Sequence, residues 1–344
     1  MKREISVNIN QTLLVCIILF ILTIVPLGCM DRSDELDSIV FMAGYKPQAN
    51  LPFIASYVAQ EKGFFTVQNL NVEILHSSSG ENIQLLMSGD VDITTADATT
   101  LLKRISEPGL PIKAFVLFGQ DGQQAFITMA DAEIQSPKDW EGLTFGYKFT
   151  VPPDYLAILK ANQVDRSKIN EVRVGFDPRI LTEGKVDILS VFKSNEPDTI
   201  NKFGFKVDIW DPSDYDIPSL GLTYIATEKT IQNNPEILRR FLKATMKAIE
   251  FIQNNPEEAL DIVMKYAPDE DRDHQKYMMM TELEDGRSPL TTANGFGYMT
   301  DGQWRQLYSQ LLEFGSLPNA FDYRDAFVNE FITSLYEGNQ LVWP

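Results

Sequence analysis

A chain of 344 residues, 44% apolar and 23% charged, has an ordinary globular composition and is long enough for about two domains rather than one core. Its 48 acidic and 30 basic side chains give a formal charge of −18, which excludes nucleic acid as a partner because phosphates need a basic surface. The acidity is read as a solvated exterior that keeps an exported protein in solution, not as a sign of acid-driven chemistry.

The first element is apolar. Lys2 and Arg3 precede a run from Leu13 to Leu22 that extends toward Cys29, the layout of a secretory signal and shorter than the roughly 20 residues of a spanning helix. Val25-Pro26-Leu27-Gly28-Cys29 resembles a bacterial lipobox, with small Gly28 before the thiol that takes the lipid and Pro26 where Leu is usual. The expectation is a signal over 1–28, a tether over 29–35, and a chain anchored through lipidated Cys29 on the extracytoplasmic face of the cell membrane. Cleavage before Cys29 removes Lys2, Arg3 and Glu4 and makes the chain one unit more negative. It also removes Cys16, so no free thiol remains for a disulfide, thiolate catalysis or a cysteine metal site.

Strands and helices then alternate. A strand is predicted over 39–44, a helix over 53–62 stopped by Gly63, and a strand over 71–75 closed by the turn His76-Ser77-Ser78-Ser79-Gly80. A helix over 81–87 stops at Gly89, a buried strand follows over 91–96, and Asp97 stands where the cap of the next helix, 99–105, is expected. A fourth strand covers 112–118.

A second run repeats this grammar, with strands over 143–147, 171–174, 186–192 and 207–210 and helices over 155–161 and 178–183. Gly184 stops the latter helix, and Ser194 or Asn195 caps a further helix that carries Pro197 in its first turn. From Asn234 the pattern changes to long helices over 235–254, 256–266, about 273–284, 301–314 and 322–336.

The two runs share a motif. Gly89-Asp90-Val91-Asp92-Ile93 returns 95 residues later as Gly184-Lys185-Val186-Asp187-Ile188, each time between a helix end and a strand. Two α/β lobes of similar build follow, each with a parallel sheet covered on both faces, and ligands bind such sheets at the strand C-terminal ends beside helix N-termini.

Gly44-Tyr45-Lys46-Pro47, the block Ala55-Ser56-Tyr57-Val58-Ala59-Gln60-Glu61-Lys62-Gly63-Phe64-Phe65, and Leu70 to Ile74 resemble the opening of solute-binding proteins of ABC importers. The family handles alkanesulfonates, taurine, nitrate, thiamine pyrimidine precursors and riboflavin, and Val174 to Asp177 with Glu183 to Asp187 match it again. The resemblance implies a two-lobed type II periplasmic-binding-protein fold with a cleft between the lobes. It places lobe one over 36–127 plus 225–344 and lobe two over 128–224. It also implies a monomer that delivers a small molecule to a membrane permease and its ATPase.

The candidate cleft residues are those at strand ends and helix starts: Tyr45, Gln48, Ser78 with its neighbours Ser77 and Ser79, Thr95, Asp97, Gln120, Tyr147, Asn195 and Glu196. The set is aromatic, amide, hydroxyl and acidic. Asp97 and Glu196 would repel an oxyanion, although Lys46, Lys148 and Lys193 lie near the same strand ends. A neutral or weakly basic heterocycle, stacked on an aromatic ring and bonded by carboxylate and amide, suits the set better. The reading is therefore a binder of a thiamine pyrimidine precursor or riboflavin, with a small anion such as a sulfonate or nitrate as the alternative. A sensor lipoprotein or an enzyme on the same fold is a second alternative. His76 and His274 are the only histidines, with no triad order, phosphate loop or metal-ligand spacing, so neither catalysis nor a cofactor or metal is expected.

Overall fold

The computed structural model describes Met1 and residues 36–344; residues 2–35, with the expected signal and Cys29, lie outside the described residues. Lobe one opens with β1 (Asp37–Ala43), α1 (Leu51–Glu61), β2 (Leu70–His76), α2 (Asn82–Ser88), β3 (Ile93–Asp97), α3 (Ala98–Ser106) and β4 (Ile112–Leu117). Lobe two holds β5 (Gln124–Met129), β6 (Thr144–Tyr147), α4 (Pro153–Ala161), β7 (Asn170–Arg173), β8 (Ile188–Phe192), α5 (Glu196–Lys202) and β9 (Val207–Trp210). The chain returns to lobe one through β10 (Leu222–Thr227) and adds α6 (Pro235–Asn254), α7 (Pro256–Tyr266), α8 (Arg272–Asp285) and α9 (Asp301–Glu313).

The sheets are ordered β2-β1-β3-β10-β4 and β7-β6-β8-β5-β9, so the lobes are built alike. Neither is purely parallel. In each, a strand that has crossed from the other lobe is inserted antiparallel: β10 between β3 and β4, β5 between β8 and β9. These two strands went unassigned in the sequence reading. Because β5 lies wholly in the second sheet and β10 wholly in the first, the chain crosses at 118–123 and returns at 211–221, a few residues before the expected boundaries.

In both copies of the repeat the aspartate makes the same contact. Asp92 Oδ2 accepts from Val40 N at 2.8 Å while Asp92 N donates to Val40 O at 3.0 Å. Asp187 Oδ2 accepts from Thr144 N at 2.8 Å while Asp187 N donates to Thr144 O at 2.9 Å. The carboxylate thus takes a strand N–H and fixes the register of the central parallel pair, with Ile93 opposite Phe41 and Ile188 opposite Phe145. Asp92→Ala or Asp187→Ala should lower stability by about 1–2 kcal/mol in thermal melting and leave ligand affinity unchanged.

The cores follow the layers. In lobe one, Phe41, Phe65, Tyr224 and Phe241 pack on one face, and Leu101, Leu102, Trp304 and Leu307 on the other. Lobe two is stacked around Phe126, Trp140, Phe145 and Tyr155. The helix expected over 322–336 is broken into a 3-10 turn at Tyr323–Ala326 and a single helical turn at Glu330–Thr333. Asp322 caps the start of that 3-10 turn, and the chain then extends so that Val328 N reaches Ala114 O at 2.8 Å. β4 is an edge strand, and its unpaired carbonyl outcompetes a helix bond there.

Candidate ligand cleft

The C-terminal ends of β1 and β3 in lobe one and of β6 and β8 in lobe two carry the candidate residues. At the end of β1 the chain can pass only as glycine: a Cβ on Gly44 would lie 2.8 Å from Thr95 Oγ1 and 3.1 Å from Thr95 O. Gly44 N donates to Thr95 Oγ1 at 2.9 Å, so Thr95 is buried and already engaged. Beyond Gly44, Tyr45 is exposed and Lys46 pairs with Glu270. Gln48 donates to Asn50 Oδ1.

Ser78 is exposed in the turn after β2, where its N–H and those around it converge on Glu81. Those bonds hold the Glu81 carboxyl well below the usual range. Asp97 caps α3, accepting from Thr100 N at 2.8 Å. Gln120 stands apart from the set, in the crossing segment. Its Nε2 donates to Tyr298 O at 2.9 Å and its Oε1 accepts from Ser288 Oγ and Gln303 Nε2, so it ties that segment to lobe one.

In lobe two, Tyr147 ends β6, half-buried against Phe145. Glu196 is buried, paired with Lys148 and accepting from Phe192 N at 2.8 Å. Asn195 makes no side-chain cap for α5; its Oδ1 lies 2.9 Å from His274 Nε2 of lobe one.

Sequence reasoning missed three parts of this region. The first is a ring cluster on lobe two. Phe149 and Phe176 are 64% and 63% exposed and meet edge to face at 5.4 Å. Lys148 Nζ lies 5.6 Å from the Phe176 centroid and 5.2 Å from that of Phe192. The signal available was a phenylalanine after each of β6 and β7.

The second is the face that α8 turns toward lobe two. Tyr277 donates to Lys193 O at 2.9 Å, and Glu282 accepts from Leu51 N at 2.7 Å, Gln123 Nε2 at 2.8 Å and Ser194 Oγ at 3.5 Å, as well as from Asn50. Burial outweighs these bonds and pushes the Glu282 carboxyl up to about 7. The third is the pairing of Lys193, which the sequence places near a strand end: it is buried and held between Asp211 at 2.6 Å and Asp285 at 2.8 Å. Burial opposes its charge, but Asp285 and Asp211 outweigh it and raise its pKa. Burial also pushes Asp285 up to about 7.

The lobes also meet where α4 faces α9. Gln310 Nε2 donates to buried Asp154 at 2.8 Å, and burial, with Asp97 nearby, raises the Asp154 carboxyl to about 7. The lobes are thus joined through α8 and through the Asp154–Gln310 contact.

Comparison with known proteins fits this architecture. The chain is 26% identical to the riboflavin-binding protein RibY of Chloroflexus aurantiacus over 315 residues, 88% of each chain. It is 24% identical to the formylaminopyrimidine-binding protein of Halalkalibacterium halodurans over 329 residues, 91% of this chain and 97% of that one. The periplasmic aliphatic sulphonate binding protein SsuA from Escherichia coli shares the fold at a TM-score of 0.67 and 11% identity, with 90% of this chain and 96% of that one covered. That likeness establishes the two-lobed periplasmic-binding-protein architecture and nothing about the ligand. The model of the family described as NMT1/THI5 like matches residues 50–259, more than half of the chain, and the protein belongs to that family.

Proposed function

We propose that the protein is the extracytoplasmic binding component of an ABC importer and captures a small heteroaromatic vitamin or precursor, riboflavin or a thiamine pyrimidine precursor, between its lobes. The observation that carries this reading is the state of the charges at the strand ends: Lys46, Lys148 and Lys193 are each paired with a carboxylate, while aromatic faces stand exposed beside them. Paired lysines offer little to a sulfonate, whereas exposed rings with amide and hydroxyl neighbours suit a flat neutral ligand. The ligand-binding set is Tyr45, Gln48, Thr95, Asp97, Tyr147 and Asn195 with Phe149 and Phe176, and capture is by binding rather than catalysis. The relatives named for riboflavin and formylaminopyrimidine support the same class. One observation favours the anion alternative: Arg173, exposed at the end of β7, has no carboxylate partner among the described residues and only donates Nε–H to Lys148 O.

Mass spectrometry of small molecules released from purified protein, followed by calorimetry with the compound found, tests this directly. A flavin or pyrimidine bound one per monomer supports it, and a sulfonate overturns the ligand class. Ligand contact with both lobes should compact the protein, so saturation without a fall in radius of gyration would count against capture between lobes.

The proposal includes a lipid anchor at Cys29. No helix among the described residues is long and apolar enough to cross a membrane. Cys29→Ala should move the protein from the membrane to the soluble fraction or block its processing. Unchanged membrane association would mean that the apolar run itself is the anchor.

A further inference from the structure

His274 is the only residue of α8 whose ring bonds two side chains of the opposite lobe. Its Nδ1 is 2.6 Å from Asp198 Oδ2 and its Nε2 is 2.9 Å from Asn195 Oδ1, and the side chains of His274 and Asp198 are mostly buried. A carboxylate only accepts, so Nδ1 carries a hydrogen and donates to Asp198. Nε2 then has two states. Protonated, it donates to Oδ1 of Asn195, and the amide turns its NH2 the other way. Neutral, it accepts, and the amide must give it the NH2 and turn its oxygen the other way.

We infer that His274, reaching across from lobe one, sets which end of the Asn195 amide meets the ligand and so tunes the cleft toward ligands that accept hydrogen bonds when the imidazole is charged. The inference rests on the reading of Asn195 as a ligand-binding residue. His274 is a positioning residue in this scheme, because it acts through Asn195. Lobe-two groups around it are Asp198 and Lys202, whose Nζ lies 3.3 Å from Asp198. On its own side stand Asp271, which accepts from His274 N at 2.7 Å and also pairs with Lys202, and Tyr277 one turn on. Arg272 and Lys276 are turned away to Glu257 and Asp261 of α7.

The chain has two histidines, so ring signals assign easily by loss in His274→Gln. In the ligand-free protein, the Asn195 side-chain amide signals, assigned by their loss in Asn195→Ala, should shift with pH in step with the His274 ring signals. A silent amide, or a different midpoint, overturns the inference whatever the ligand proves to be. With riboflavin as probe, which presents ring carbonyls, affinity should fall on the order of tenfold between the charged and neutral states of the His274 ring. In His274→Gln, which cannot titrate, the pH dependence should vanish. An equal pH slope in that variant also overturns it. Absence of binding by riboflavin and by formylaminopyrimidine alike would instead sink the proposed function, with the amide titration still deciding the role of His274.

Discussion

Lowering the pH from 8 to about 5 should stabilise the folded chain markedly. Asp154 and Glu282 are each pushed up to about 7 when folded, because burial penalises their charge, whereas in the unfolded chain they return to the ordinary range near 4. Between those limits the native state binds protons that the unfolded state does not. The stabilisation is therefore fully present below about 4 and is lost as the pH rises through about 7. Relief of repulsion in a chain of charge −18 acts in the same direction. Acid eventually reverses the trend: Glu141, Asp177 and Asp322 are held near 2 by hydrogen bonds and ion pairs, and protonating them removes those bonds. Asp154 gives the sharpest test because one donor, Gln310, faces it. Asp154→Asn keeps an oxygen for that donor and removes the buried charge. It should raise stability at pH 8 by on the order of 2–4 kcal/mol and flatten the pH dependence of Tm. A lower Tm at pH 8 would mean that the carboxylate is stabilised where it stands.

What the sequence made legible was whatever its neighbours in the chain decide. Gly89 and Gly184 adopt positive φ, as helix stops require, and the strands after them form where the period changes. The repeat itself was visible, but its purpose was not: Asp92 and Asp187 act on Val40 and Thr144, which are far along the chain, and a sequence does not show which strands will be neighbours. The same limit hid β5 and β10. Gln124 to Met129 and Leu222 to Thr227 are ordinary strand sequences, yet they cross between lobes and insert against the grain of each sheet, and nothing local encodes strand direction. It also hid the cleft's second wall. His274 and Asp285 lie on a helix of lobe one with core residues Met278, Met279 and Leu283, and their side chains find partners only when lobe two is placed beside them, while Glu282 is shared between Asn50 and Leu51 of its own lobe and Ser194 of the other. Polar residues at core spacing on α8 were the available clue, and they pointed to a buried contact without naming its partner.

Replacing Glu196 by Ala should be among the most damaging single changes in lobe two. The side chains of Glu196 and Lys148 are 5% and 8% exposed, so each charge depends on the other for compensation. Removing the carboxylate strands the ammonium between Phe176 and Phe192 and leaves Phe192 N without its acceptor, a loss of about 3–5 kcal/mol. Lys148→Met should cost less, because Glu196 keeps the Phe192 N–H and stands in the first turn of α5, where the helix dipole favours a carboxylate. The double variant should recover much of the loss in Glu196→Ala, and the cycle gives the coupling by thermal melting. Asp97 behaves differently: Asp97→Asn should be nearly silent and Asp97→Ala should cost about 1 kcal/mol, since its visible work is a cap. The same variants decide the ligand. With Glu196→Gln, Lys148 is freed beside the exposed rings, and a cleft selective for a neutral heterocycle should gain affinity for taurine or nitrate while losing some for a flavin or pyrimidine. Tight binding of taurine by the unaltered protein would show that Lys148 or Arg173 already serves an anion, and the ring cluster would then be a wall of the site rather than its platform.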